Sequence, residues 1–231
     1  MKVLVIVPAY NEEGCIRDVI EDLTANFPQG DILIVNDGSR DRTSEIAKGL
    51  RLNVIDLSYN LGIGGAVQTG FVYAVAEGYD IAIQFDGDGQ HRADQILKIL
   101  APHQKDAADI VVGSRFLSEG GFSSSIQRRM GAKILSFVVS SLIGMRITDT
   151  TSGFRVYGRK AIDFFSSIYP EDYPEVEAFI LAHKKGFRIV EVPAEMGPRM
   201  AGKSSITVPR AVYYMVKVLL AIFVDLMKKI E

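Results

Sequence analysis

Two rhythms of apolar and polar positions alternate along this chain. Residues 2–7 (KVLVIV) are a short, continuous, β-branched run, which predicts a buried strand. After the polar NEE segment, Ile16, Val19, Ile20 and Leu23 recur at helical spacing and predict an amphipathic helix over 12–25, with Cys15 inside it. Further strands are predicted at 31–37, 52–58, 81–86 and 109–115. Between them fall helices at 41–50, opened by Asp41 as a candidate N-cap, from the Gly-rich NLGIGGA turn to about 77, and near 94–101. This βαβα order predicts an α/β fold with a mostly parallel sheet covered by helices on both faces.

The pattern changes after residue 116. A Ser/Gly-rich loop precedes a long helix at 126–144, then a short strand in SGFRVY and helices at 159–167 and 175–185. A strand in FRIVEVPA, the loop MGPRMAGKSS and a last helix over 207–229 complete the chain. No repeat or low-complexity tract interrupts it. The expected organisation is a single domain over 1–231: a nucleotide-binding half at 1–115, an acceptor half at 116–206 and a C-terminal amphipathic helix at 207–231.

Composition narrows the function classes. A hydrophobic share of 48% is enough for a filled core. A net charge of −2 gives no electrostatic footprint for nucleic acid, so no nucleic-acid partner is expected. The single cysteine, Cys15, excludes an intramolecular disulfide or a cysteine zinc cluster, and its place in a predicted helix reads as packing. The N-terminal apolar run is too short for a secretory leader, and no stretch reaches the roughly 18 apolar residues of a membrane span. The expected location is cytoplasmic.

The densest candidate chemistry is QFDGDGQH. Asp86 and Asp88 lie two apart where a buried strand ends, so both carboxylates can face one point beyond the carboxyl edge of the sheet. Gly87 and Gly89 allow a tight turn and a close ligand. Two carboxylates this close repel, and a divalent cation bridging a pyrophosphate would relieve them, with Gln90 as a further oxygen donor. An ordinary solvated turn is the competing reading, since Asp and Gly are common turn residues. Asp37 with Gly38 and Ser39 is equally compatible with an Asx-type turn, and NLGIGGA with a plain helix start. A dinucleotide fingerprint is disfavoured, because it should follow the first strand, which here runs into Pro-Ala-Tyr-Asn-Glu.

Taken in order, VPAYNEE, VNDGSRD, NLGIGGAVQTG, DGDGQH and VVGSRF resemble family 2 glycosyltransferases of the GT-A fold, most of all the dolichyl- and polyprenyl-phosphate sugar transferases. The resemblance extends through TSGFRVY and the late R-x-x-x-K-S loop. It implies that Pro8, Ala9, Tyr10 and Glu12 hold the nucleobase and ribose, that Asp37 hydrogen-bonds the base, and that Asn60 to Gly64 line the nucleotide cleft. It implies nucleotide contacts from Asp86, Gly87 and Asp88. Asp86, Asp88 and Gln90 form its Mg²⁺ or Mn²⁺ site, with Asp88 and Gln90 favoured as direct ligands and Asp86 nearer the ribose or a metal-bound water. Such relatives often carry Ala at Gly87 and Leu at Gly89, so this chain is expected to lack side chains beside the pyrophosphate.

The resemblance also places Arg115, Arg128, Arg129, Arg199 and Lys203 around an acceptor phosphate, with Asp88, Arg115 and Arg199 as the catalytic set. Unrelated surface charges are the alternative for each arginine. Arginine grips phosphate oxygens bidentately, and an already anionic acceptor needs no strong base. The implied reaction is inverting transfer from a nucleotide-sugar donor, UDP-glucose or UDP-N-acetylglucosamine preferred, to a polyprenyl phosphate. Alternatives are transfer from GDP-mannose to the same acceptor and transfer to a saccharide hydroxyl. For the hydroxyl case Asp172 or Glu175 would be the base, although an acid in a helix's first turn also suits the dipole. Residues 134–145 and the last helix could be core, an interface in a homo-oligomer, or a surface lying on a membrane, with Lys228 and Lys229 near head groups. A peripheral place on the cytoplasmic face of the membrane, with a separate membrane-protein partner, is the corresponding expectation.

Overall fold

In the computed structural model, the described residues are 1–117, 126–170, 173–197 and 217–224. Among these residues seven strands form one sheet in the order β3-β2-β1-β4-β6-β5-β7. These are β1 (Val3–Ala9), β2 (Asp31–Asn36), β3 (Asn53–Asp56), β4 (Ile81–Gln84), β5 (Ile110–Ser114), β6 (Arg155–Gly158) and β7 (Ile189–Pro193). The pairs β1–β2, β1–β4, β2–β3 and β5–β7 are parallel, as the alternating pattern predicts. Strand β6 runs antiparallel between β4 and β5.

The reversal of β6 has a simple cause. Strand β5 leaves the sheet at its carboxyl edge, and the chain re-enters at that same edge, where Arg155 is level with Gln84 and Val112. The whole excursion between Arg115 and Phe154 therefore begins and ends beside the carboxyl ends of β1 and β4. It contains helix α5 (Ile126–Ile143) and the polar stretch Thr148–Ser152.

Helices cover both faces. Helices α1 (Ile16–Asn26), α2 (Thr43–Gly49) and α4 (Ile96–Gln104) pack on one face with the alternate side chains of β1, β2 and β4. Helices α3 (Gly62–Ala76), α5, α6 (Arg159–Ser167) and α7 (Pro174–Lys184) pack on the other. Residues 217–224 are also helical and bury Val218 and Ile222 against that second face. The remainder of the expected 207–229 helix lies outside the described residues. Cys15 is buried as expected for packing but precedes α1 rather than lying within it. Residues 12–15 instead form a turn, in which the Glu12 carbonyl accepts from the amides of Cys15 and Ile16. Asp41 likewise stands before α2 and accepts from the Thr43 amide at 3.0 Å, two residues upstream of the first helical residue.

Helix α3 approaches β1 closely at Gly70. A Cβ there would stand 2.4 Å from Ile6 Cγ2, and Ile6 is fully buried. Gly70→Ala is therefore expected to destabilise the fold. Overpacking costs about 1–3 kcal/mol, which outweighs the gain of at most about 1 kcal/mol in helix propensity. Guanidinium denaturation measures the difference, and a variant as stable as the wild type would mean that Ile6 yields.

Candidate active site at the carboxyl edge

The strand order reverses direction of growth between β1 and β4, and the connections α1 and α3 lie on opposite faces there. Ligands of open α/β sheets bind in the crevice at such a switch point. The loops after β1, β2, β3 and β4 meet at this place and are tied together by backbone hydrogen bonds. The Asp37 amide donates to the Ala9 carbonyl at 2.9 Å, and the Gly87 amide to the Pro8 carbonyl at 3.3 Å. Across the first two loops, the Asn11 amide donates to Ser39 Oγ, the Arg40 amide to Asn11 Oδ1, and the Glu12 amide to Thr43 Oγ1. Gly38 has a φ of +68°, and a Cβ there would press on the Tyr59–Asn60 backbone at 2.8 Å, so only glycine lets these loops meet.

Most residues expected at the nucleotide are gathered here. Pro8 and Ala9 end β1 and are buried, and Tyr10 is exposed just beyond them. Asp37 is buried, and its Oδ1 accepts from the Leu61 amide at 2.7 Å, at the entry to α3. That carboxylate thus fixes the β3–α3 turn, whatever it binds besides. Asn60 is exposed and caps Gly62 through Oδ1 at 3.1 Å, while Gly64 is buried in the first turn of α3.

Asp86 and Asp88 follow β4, as expected from the alternation. Both are partly exposed. Asp88 Oδ1 accepts from the Gln90 amide at 3.0 Å, and Gly89 between them takes a φ of +75°. The Asp86 side chain keeps 26% exposure, yet its Oδ1 is sealed and has no hydrogen-bond partner among the described residues. Burial, then the like charge of Asp88, pushes the Asp86 carboxyl up to about 7; the Gln84 amide, Arg115 and Arg155 pull the other way. A sealed, unpartnered carboxylate oxygen beside a second carboxylate fits a cation. Among the described residues no group of three His, Cys, Asp or Glu side chains converges to hold one. Gly87 lies against the end of β1. A methyl group there would face Pro8 O at 3.0 Å, with Ala9 Cβ and Val7 Cγ1 at 3.5 Å, so the missing side chain makes room for β1.

Arg115 is held in place by the TDTTS stretch. Its Nε and Nη2 make a bidentate pair with Asp149 at 2.7 Å each, its amide donates to Asp149 Oδ2 at 3.0 Å, and Nη2 also reaches Thr151 Oγ1 at 2.7 Å. Asp149 is fully buried, and Glu191 on β7 accepts from the amides of Thr148 and Asp149 at 2.7 and 2.8 Å. A second buried guanidinium, Arg155, donates to the carbonyls of Ser152 and Glu175 at 2.8 and 2.6 Å and lies 4.6 Å over the Phe179 ring. Burial pushes the Glu175 carboxyl above the ordinary glutamate range, with Arg155 opposing and Asp86 adding to the rise. The side chains of Arg128 and Arg129, and all of Asp172, Arg199 and Lys203, lie outside the described residues.

Two contributors escaped the sequence reading. Asp149 sits in a polar TDTTS stretch without periodicity, and only the return of the chain to the carboxyl edge brings it to Arg115. His91 follows Gln90 in an apparent turn, yet it is buried and holds the Asp86 amide through Nδ1 at 2.9 Å.

A mostly parallel sheet with a carboxylate pair at its switch point defines an α/β protein with a candidate ligand site at the carboxyl edge of the sheet. The comparisons narrow this class. The model of "Glycosyl transferase family 2" matches residues 4–165, and the chain belongs to that family. It is 36% identical over 211 residues to the UDP-N-acetylglucosamine–dolichyl-phosphate N-acetylglucosaminyltransferase of Methanococcus voltae, covering 83% of this chain and 84% of that one. It is 31% identical to the undecaprenyl-phosphate mannosyltransferase of Micrococcus luteus, covering 90% and 88%. Among solved structures, glucosyl-3-phosphoglycerate synthase from Mycobacterium tuberculosis, in complex with Mn²⁺, uridine diphosphate and phosphoglyceric acid, superposes with a TM-score of 0.75 at 16% identity. That match covers 100% of this chain and 80% of the other and establishes a shared GT-A fold.

Proposed function

We propose that this glycosyltransferase moves a sugar, with inversion, from a nucleoside diphosphate donor to a polyprenyl phosphate. The observation that carries the donor side is the Asp86–Asp88 pair at the switch point, with one carboxylate oxygen buried and unpartnered. The acceptor is supported by relatives named for dolichyl phosphate and undecaprenyl phosphate that align over more than four-fifths of the chain. UDP-N-acetylglucosamine or UDP-glucose is the preferred donor, the first being the donor in the name of the 36%-identical relative.

In this reading Asp88, Asp86 and Gln90 hold Mg²⁺ or Mn²⁺, which neutralises charge on the departing diphosphate. Pro8, Ala9, Tyr10, Glu12, Asp37 and the Asn60–Gly64 turn form the nucleoside side of the cleft. Arg115 would meet an acceptor phosphate beside Asp149, where the guanidinium is already oriented and desolvated. Arg128, Arg129, Arg199 and Lys203 complete the cationic side. The acceptor lipid requires a membrane surface. Exposed Met130, Ile134, Phe137 and Leu142 on α5, and Leu220 and Phe223 on the terminal helix, support a peripheral, interfacial contact. Among the described residues no helix is long and apolar enough to cross a membrane.

Incubation of the protein with Mn²⁺, polyprenyl phosphate and radiolabelled UDP-N-acetylglucosamine, UDP-glucose or GDP-mannose tests the reading. The expected result is label in an organic-extractable, acid-labile product with one of these donors. Label appearing only in a water-soluble saccharide would overturn the acceptor assignment.

A further inference from the structure

We propose that His91 is a positioning residue that fixes the orientation of the Asp86 carboxylate for cation binding. The inference rests on the metal-dependent reading above and assigns a role to a side chain that reading does not use. His91 is 5% exposed. Its Nδ1 accepts from the Asp86 backbone amide at 2.9 Å, so the ring proton resides on Nε2. Nε2 then faces Asp86 Oδ2 at 3.5 Å, longer than a strong hydrogen bond and close enough to be the polar group opposite that oxygen. One imidazole thus engages both the backbone and the carboxylate of the same residue.

The ring itself is clamped. It stacks on Phe154 with centroids 4.9 Å apart at 19°, and Phe85 meets it edge-on at 5.3 Å. Its backbone pairs antiparallel with Met196, and the Gly197 amide donates to the Gln90 carbonyl at 2.8 Å. Gly153 also lies against the carboxylate: a Cβ there would stand 2.6 Å from Oδ2 and 2.7 Å from Oδ1. The carboxylate is therefore in contact with both a fixed imidazole and the bare backbone of Gly153. Groups that orient a metal-binding carboxylate typically contribute 10–100-fold in metal affinity.

Packing alone would also account for a buried ring, and substitutions separate the two roles. His91→Phe keeps the ring between Phe85 and Phe154 and removes both nitrogens. His91→Asn keeps an acceptor for the Asp86 amide and removes the Nε2 donor. Binding of Mn²⁺ with the nucleoside diphosphate that the transfer assay selects is read from the free-Mn²⁺ electron paramagnetic resonance signal, alongside thermal unfolding. Positioning predicts that both variants lose about 10–100-fold in Mn²⁺ affinity, that Asn retains more than Phe, and that nitrogen chemical shifts report the Nε2–H tautomer in the wild type. Packing predicts the reverse order, with Phe at wild-type affinity and Asn weakened through its cavity. Should the Phe variant not fold, wild-type affinity in a folded Asn variant overturns the proposal by itself. Asp88→Ala serves as the control. If it binds Mn²⁺ like the wild type, the metal reading fails and the role of His91 falls with it. If it loses binding while both His91 variants keep theirs, only the present inference fails.

Discussion

Asp88→Ala is expected to lower metal-dependent sugar transfer about 100- to 1,000-fold, the scale of losing one preorganised group that stabilises charge on a leaving group. The fold should survive. Asp88 is partly exposed, and its Oδ1 accepts from the Gln90 amide at 3.0 Å; such a bond contributes about 1 kcal/mol. The like charge of Asp88 is also the second cause of the raised Asp86 pKa. Its removal lowers the Asp86 pKa toward the ordinary carboxylate range, which offsets part of the lost bond. Steady-state kinetics across a Mn²⁺ titration, with thermal unfolding as the control, measures both effects. Turnover at the wild-type rate with an unchanged metal requirement would refute the assignment of this pair.

Asp149→Ala should have the largest effect on stability. The substitution removes the partner of Arg115, whose side chain is 17% exposed, from a site where Asp149 itself is fully buried. Breaking a buried ion pair from one side leaves an uncompensated charge and costs about 3–5 kcal/mol. The Asp149 carboxylate also accepts from the Arg115 amide, so the exit of β5 loses its anchor as well. Denaturant unfolding should register the full loss, and Asp149→Asn, which keeps an acceptor, should lose less. A cost below about 1 kcal/mol would show that the pair behaves like an exposed one.

Much of the fold could be read from periodicity. Helix α6 was expected at 159–167 and spans Arg159–Ser167, because its apolar positions Ala161, Ile162 and Phe165 lie on one face. Edges were less legible. The strand expected at 52–58 shortens to Asn53–Asp56, since among the described residues β3 pairs only with β2 and its ends have no second neighbour to hold them. The direction of β6 could not be read at all. Four residues carry no mark of which edge the chain re-enters, and that is decided by the path of α5. The same limit applied to the site. Asp86 and Asp88 stood out because a continuous strand aims them, whereas Asp149 and His91 acquire their partners only through tertiary contacts. Nothing in the sequence signals that Gly87 also lies against the end of β1, a tertiary contact.

The course of the chain from Arg115 to Phe154 has an evolutionary corollary. Departure and return occur at neighbouring strand ends, so this stretch behaves as a cassette whose two ends are held a fixed, short distance apart. Lengthening such a cassette costs little, since closure entropy grows only logarithmically with residue number. Its contents can therefore diversify without shifting the register of any strand or the carboxylates at the exit of β4.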